Sequence, residues 1–303
     1  MNALKSCAVT LLTIANLASM KAARCSVDPT LEANKALAAN ALDAIFNKRD
    51  VSAVDKYIST TYLQHNPAVG DGRDALKSFM ALFPSNSKFE LGTQAADGDL
   101  VWTHARYSGI PGLNTSIAVD VFRVKDGKIV EHWDVIQEEI PASKTASGRP
   151  MFPIESSTPF PSVPKRCEDA STPCESKEQL DANKVLVAKA LDAFFNKRDV
   201  NAVDTYIGTE YLQHNPHVGD GPEELKAFIE TFLSGSKYEL GAQVAEGDLV
   251  WTHGRYTGIP GLDVMIIVDI FRVKDGKLVE HWDVSEKEVT KTVSGRPMFP
   301  IEG

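Results

Sequence analysis

The chain repeats itself. Sliding the sequence by 149 residues, which carries His65 onto His214, aligns ANKALAANALDAIFNKRD with ANKVLVAKALDAFFNKRD, YLQHNPAVGDG with YLQHNPHVGDG, and FRVKDGKIVEHWDV with FRVKDGKLVEHWDV. So long a period marks a duplicated whole domain, because solenoid repeats run about 20 to 50 residues. By SGRPMFPIE the offset is 147 (Ser147 onto Ser294), so two residues are lost after the Trp-Asp pair. The intervening ESSTPFPSVPKRCEDASTPCES has the Pro- and Ser-rich composition of a linker. The expected organisation is a first domain over 26–155, a linker over 156–175 and a second domain over 176–303. Both domains are of ordinary size.

Residues 1–23 read as a signal peptide: one positive charge, an apolar run from Cys7 to Ala18, then small and basic residues. Ala18, Ser19 and Ala23 each offer a cleavage context. The run is shorter than the roughly 20 apolar residues of a membrane span, so the reading is a secreted protein with no membrane contact after cleavage. A net charge of −9, with Lys and Arg spread among acids, argues against a nucleic-acid partner. Of the four cysteines, Cys7 leaves with the leader. Cys167 and Cys174 flank a short polar loop and can form a disulfide in an oxidising compartment, and Cys25, at the repeat position of Cys174, offers an alternative pairing.

Within the first copy, apolar residues recur at helical spacing over 31–47 and 51–58, and a third helix is expected over 73–83 after the Gly-Asp-Gly turn. Four β-rich runs follow at 88–96, 99–108, 116–125 and 128–137, separated by Asp-Gly and Pro-Gly pairs. Helices first and an antiparallel meander second is an α+β arrangement, in which a bent sheet wrapped over helices leaves a blind pocket.

This layout, with QHNP before a Gly-Asp-Gly turn and the closing hairpin FRVKDGKIVEHWD, resembles the SnoaL-like branch of the nuclear transport factor 2-like superfamily, including the group assigned to aldol-type condensations. The resemblance covers nearly all of both copies. It implies two tandem cone-like α+β barrel domains, each with N-terminal helices packed on a curved antiparallel sheet. It also implies that Asp134 and Asp283, in the His-Trp-Asp motif, match the pocket carboxylate that serves SnoaL-like cyclases as general base. Those cyclases commonly carry His where this chain has Asp120. Related domains usually dimerise through their sheets, which implies an intramolecular pseudo-dimer here.

The histidines fall in repeat pairs, His65 with His214, His104 with His253 and His132 with His281, leaving His217 alone. Asp120 and Asp269 join Asp134 and Asp283 in the candidate catalytic set. Two hairpin registers are open. A two-residue type I′ turn at Asp126-Gly127 puts Asp120 opposite Trp133. A G1 bulge puts it opposite His132 and gathers Asp120, Phe122, Val130, His132 and Asp134 on one face, with Val121, Arg123, Glu131 and Trp133 on the other. The second is preferred, since acids mixed with Phe and Val describe a pocket wall. Alternation puts His104 on the pocket wall or the outer face; the pocket is carried forward. His65 is either a pocket donor or a turn residue, and a buried His132–Asp120 pair can simply satisfy its own hydrogen bonds.

Three functions compete. One is cofactor-free acid/base chemistry of the lyase or isomerase kind on a small carbonyl compound, with Asp134 or Asp283 as base and a histidine as hydrogen-bond donor. The second is a binding module holding a small apolar ligand without catalysis. The third is a metal site of three His and two Asp per copy. Met265 and Ile267, in place of Ser116 and Ala118, predict a smaller, more apolar second pocket. Asn114-Thr115-Ser116 is a glycosylation sequon that the second copy lacks.

Overall fold

The computed structural model describes residues 28–154, 176–231 and 235–301. The leader, the linker and all four cysteines lie outside the described residues.

The first copy opens with α1 (Pro29–Leu42), capped by the Asp28 carboxylate, which accepts from the Thr30 N–H at 2.8 Å, with Pro29 preset for the first turn. Its last turn widens into a π-helical segment (Asp43–Asn47). The Asn47 side chain then exchanges two hydrogen bonds with the Phe89 backbone, at 2.8 and 3.1 Å, clipping the helix end to the sheet. Next come α2 (Ser52–Tyr57), β1 (Ile58–Gln64), α3 (Gly72–Met80), β2 (Lys88–Asp97), β3 (Leu100–Ser108), β4 (Ser116–Lys125) and β5 (Lys128–Glu138). The second copy repeats this as α4 (Lys177–Leu191), α5 (Ala202–Tyr206), β6 (Ile207–Gln213), α6 (Pro222–Thr231), β7 (Lys237–Glu246), β8 (Leu249–Thr257), β9 (Met265–Lys274) and β10 (Lys277–Lys287).

Each sheet has five strands, in the orders β1-β5-β4-β3-β2 and β6-β10-β9-β8-β7. The last four strands of each copy form the expected antiparallel meander, and the first adds a parallel edge beside the last. Sequence periodicity misses that edge strand: in ISTTYLQ three consecutive polar residues hide the alternation.

The closing hairpin corrects the preferred register. Asp126 and Gly127 both have positive φ, 51° and 67°, and Lys125 pairs with Lys128, which is the two-residue turn. A bulge two residues later leaves Val130 unpaired, and from there Arg123 faces Glu131, Phe122 faces His132, and Asp120 faces Asp134 rather than His132. Turn and bulge together restore the face that the G1 bulge predicted for Asp120, Phe122, His132 and Asp134. Ile129, not Val130, takes the neighbouring place on the cavity wall.

Three cores result. One lies between helices and inner sheet face in each copy. The third lies between the outer faces of the two sheets and contains Trp102, Trp133, Trp251 and Trp282, all fully buried. Each tryptophan removes on the order of 200 Å² from water. At ~25 cal/mol per Å² that is an upper limit of about 5 kcal/mol each, shared between packing within a copy and packing across the seam. Polar contacts frame the seam in exchanged pairs: Glu286 accepts from the Ile136 N–H at 2.9 Å, and Gln137 from the Ser285 N–H at 2.9 Å.

Candidate active site

The β1–α3 loop, β4 and β5 bring the polar groups of the first cavity together. Asp120 and Asp134, directly opposite on adjacent strands, and His132 all point inward and are buried. Around them stand apolar side chains, among them Ile45, Phe46, Phe79, Ile110, Leu113 and Phe122.

Fixed donors settle the proton positions. Gln64 Oε1 accepts from the Asn66 backbone N–H at 3.0 Å, so that atom is the amide oxygen. It lies 2.8 Å from His132 Nδ1, which must therefore carry a hydrogen. His132 Nε2 then faces Asp120 Oδ1 at 3.1 Å. Asp120 Oδ2 accepts from the Tyr107 hydroxyl at 2.7 Å and from Thr103 at 3.2 Å. Burial alone would lower the His132 pKa, but the Asp120 hydrogen bond and the charges of Asp134 and Asp120 outweigh it and raise the pKa above the usual value.

Asp134 is held differently. Asn66, whose Oδ1 is fixed by the Ala68 N–H at 2.8 Å, donates through Nδ2 to Asp134 Oδ2 at 2.7 Å. The other oxygen, Oδ1, is buried with no hydrogen-bond partner. Burial raises the Asp134 pKa above the ordinary aspartate value; His132 and Asn66 oppose the rise and Asp120 adds to it. The cavity wall thus carries a buried carboxylate with one anchored oxygen and one without a hydrogen-bond partner.

The second copy repeats the arrangement. His281 lies 2.8 Å from Gln213 and 3.2 Å from Asp269, Tyr256 donates to Asp269 at 2.8 Å, and Asn215 donates to Asp283 at 2.6 Å. Asp283 Oδ1 is likewise buried and unpartnered, and burial raises its pKa. The cavities differ: about 90 Å³ in the first copy and about 350 Å³ in the second, which reverses the expected order of size. Met265 and Ile267 line the second cavity without filling it, and Ser285 stands where the first has Ile136. His217, exposed at its rim, replaces Ala68.

Four of the expected catalytic histidines stand elsewhere. His65 stacks on Trp133 at 4.4 Å, donates from Nδ1 to the Pro297 carbonyl at 2.6 Å, and meets Glu131 at 2.9 Å, all on the outer side of the sheet. His214 does the same with Trp282, Pro150 and Glu280. His104 and His253 alternate with inward-facing Thr103 and Thr252 and so enter the seam. There they stack on Phe152 and Phe299, fully buried, with both ring nitrogens unpartnered. Burial pushes both pKa values down to about 3. Strand alternation separates these rings from the cavity. Gln64, Asn66 and Tyr107 were the missed site residues; QHNP contained the first two, and reading a strand there would have turned Gln64, not His65, inward.

The same separation dismantles the five-ligand metal site. One histidine and two aspartates per copy remain, their ligand-capable atoms within 4.8 Å of one another. They could hold a divalent cation by giving up the His132–Asp120 or His281–Asp269 hydrogen bond.

A curved sheet closed over helices, with one blind cavity per copy and an acid–histidine–acid cluster on its wall, defines a tandem pocket protein of the cone-like α+β class. The profile of the SnoaL-like domain matches residues 39–132 and again 187–281, and the chain belongs to that family. About a third of the chain is also similar in structure to several solved proteins. TsrD from Streptomyces laurentii shares 23% identity over 37% of this chain and 92% of its own, with a TM-score of 0.31. A protein from Jannaschia sp. CCS1, provisionally assigned as a SnoaL-like polyketide cyclase, shares 18% over 37% and 90%, with a TM-score of 0.33. An NTF-2 like protein of unknown function from Burkholderia xenovorans LB400 shares 18% over 36% and 86%, with a TM-score of 0.32. A comparison with curated proteins finds no match.

Proposed function

We propose that each cavity binds a small carbonyl compound and catalyses proton transfer at the carbon beside the carbonyl, as an isomerase, lyase or cyclase of the aldol type without a cofactor. The observation that carries this reading is the buried, unpartnered Oδ1 of Asp134, and of Asp283, beside an apolar cavity. Asp134 removes the proton and becomes a carboxylic acid. The electron pair moves onto the carbonyl oxygen, where His132, doubly protonated with its Nδ1–H on Gln64, can turn its Nε2–H from Asp120 to the enolate. Return of the proton to a different carbon gives an isomer; attack of the enolate carbon on a second carbonyl closes a carbon–carbon bond.

The apolar walls also support a second reading, a binding module that turns nothing over. The deciding experiment is deuterium exchange followed by NMR into a panel of small ketones, aldehydes and β-ketoesters, with wild type beside Asp134→Asn plus Asp283→Asn. Exchange lost in the double variant supports the base assignment. No exchange, with apolar ligands still raising the melting temperature, selects the binding module. The leader pattern supports reading the chain as an exported protein, a proposal tested by N-terminal sequencing of protein recovered from the medium. The seam supports an internal pseudo-dimer as the working unit, tested by small-angle scattering: two beads tumbling independently would contradict it.

A further inference from the structure

The loop that positions His132 and Asp134 is gripped by the other copy. After β10 the chain crosses to the first copy, where the Val293 N–H donates to Pro67 O at 3.0 Å and Pro297 O accepts from His65 at 2.6 Å. Arg296 Nε lies 3.1 and 3.0 Å from the two oxygens of Asp71. After β5 the chain does the reverse. The Ala146 N–H donates to Pro216 O at 2.9 Å, Ser147 donates to Gln213 O at 2.6 Å, Pro150 O accepts from His214 at 2.6 Å, and Arg149 reaches Asp220 at 3.0 and 2.9 Å.

These grips continue inward. Asp71 Oδ1 accepts from the Gln64 backbone N–H at 2.8 Å, and Gln64 Oε1 receives His132 Nδ1–H at 2.8 Å. The second copy repeats the chain through Asp220, Gln213 and His281 at 2.8 and 2.8 Å. A half-exposed ion pair contributes little by itself. Here it is one of three contacts closing on residues 65, 67 and 71, so the loop has one position.

We propose that each pocket is completed in trans. Arg296 of the second copy is a positioning residue for His132 in the first pocket, and Arg149 of the first copy is one for His281 in the second. The effect on turnover rests on the catalytic reading above; control of the His132 ring does not.

The test uses the full chain carrying Asp283→Asn, so that only the first pocket turns over. Arg296→Met is expected to lower exchange about tenfold and to shift the ring ¹⁵N signals and titration of His132, assigned by their loss in His132→Gln. Arg149→Met should leave both readouts unchanged, and Arg296→Lys should recover part of each. Unchanged His132 signals in Arg296→Met, or an equal disturbance from Arg149→Met, would overturn the proposal. If no compound in the panel is turned over, the His132 titration still decides it. If Arg296→Met does not fold, Asp71→Asn, which keeps an acceptor for the Gln64 N–H but loses the charge facing Arg296, is read the same way.

Discussion

Asp120 and Asp134 face each other across β4 and β5, yet their surroundings differ. Asp120 receives hydrogen bonds from Tyr107, Thr103 and His132, whereas Asp134 keeps one oxygen buried and unpartnered. Like charges in register repel, and burial disfavours the charge on Asp134. On the reading proposed above, Asp120 holds the donor and Asp134 is the base.

Asp134→Asn in the Asp283→Asn background should remove about 10²- to 10⁴-fold of exchange activity. The acid limb of its pH–rate profile in the parent should lie above the ordinary aspartate pKa. Because the folded pKa is raised, the unmodified protein loses stability as pH rises from the ordinary value to the raised one. Asp134→Asn should lack that loss, seen as a urea midpoint that gains on the parent's as pH rises above the ordinary aspartate value.

Tyr107→Phe removes the shorter of the two hydroxyl donors to Asp120 and leaves a buried acceptor less satisfied. A loss of about 1–3 kcal/mol in stability is expected, read by urea titration, with lower exchange because Asp120 then holds His132 less firmly.

His104 and His253 are neutral when folded, with pKa near 3, and ordinary when unfolded. The unfolded chain therefore takes up protons that the folded one refuses as pH falls from about 6.5 toward 3, at a cost of about 1.4 kcal/mol per pH unit for each ring. His104→Phe, which keeps the stack on Phe152, should flatten that slope by one proton in denaturation curves between pH 7 and pH 5.

Glu286 is held up to about 8, first by burial and then by Asp134, and its counterpart in the other copy is the neutral Gln137. Below that pKa Glu286 is uncharged, so Glu286→Gln should leave the acid limb of the first pocket's pH–rate profile unchanged and remove a loss of stability that the parent shows as pH rises from the ordinary glutamate value to about 8. The pH–rate profile in the Asp283→Asn background and urea midpoints across that range measure this.

Much of this was legible because duplication and periodicity act along the chain. The helices and the four-strand meander follow from spacing alone, whereas the inward face holding Asp120, His132 and Asp134 also needed a choice between two hairpin registers. What escaped depends on pairing between distant segments. The ISTTYLQ strand has an edge position that periodicity does not mark, and without it His65 could not be turned to the outer side. The bulge at Val130 cancels the parity of the hairpin turn, so the right face came from a register two residues off. The depth of His104 in the seam depends on the second sheet, which the alternation of a single strand cannot report.

The crossing arms bear on how such a chain can change over generations. SGRPMFPI stands at both 147–154 and 294–301, and each stretch serves the other half. Genetic exchange between the halves at that stretch would leave both loops with an equivalent grip. A substitution confined to one arm would instead be felt in the opposite half, so neither copy is free to drift without a matching response from its sibling.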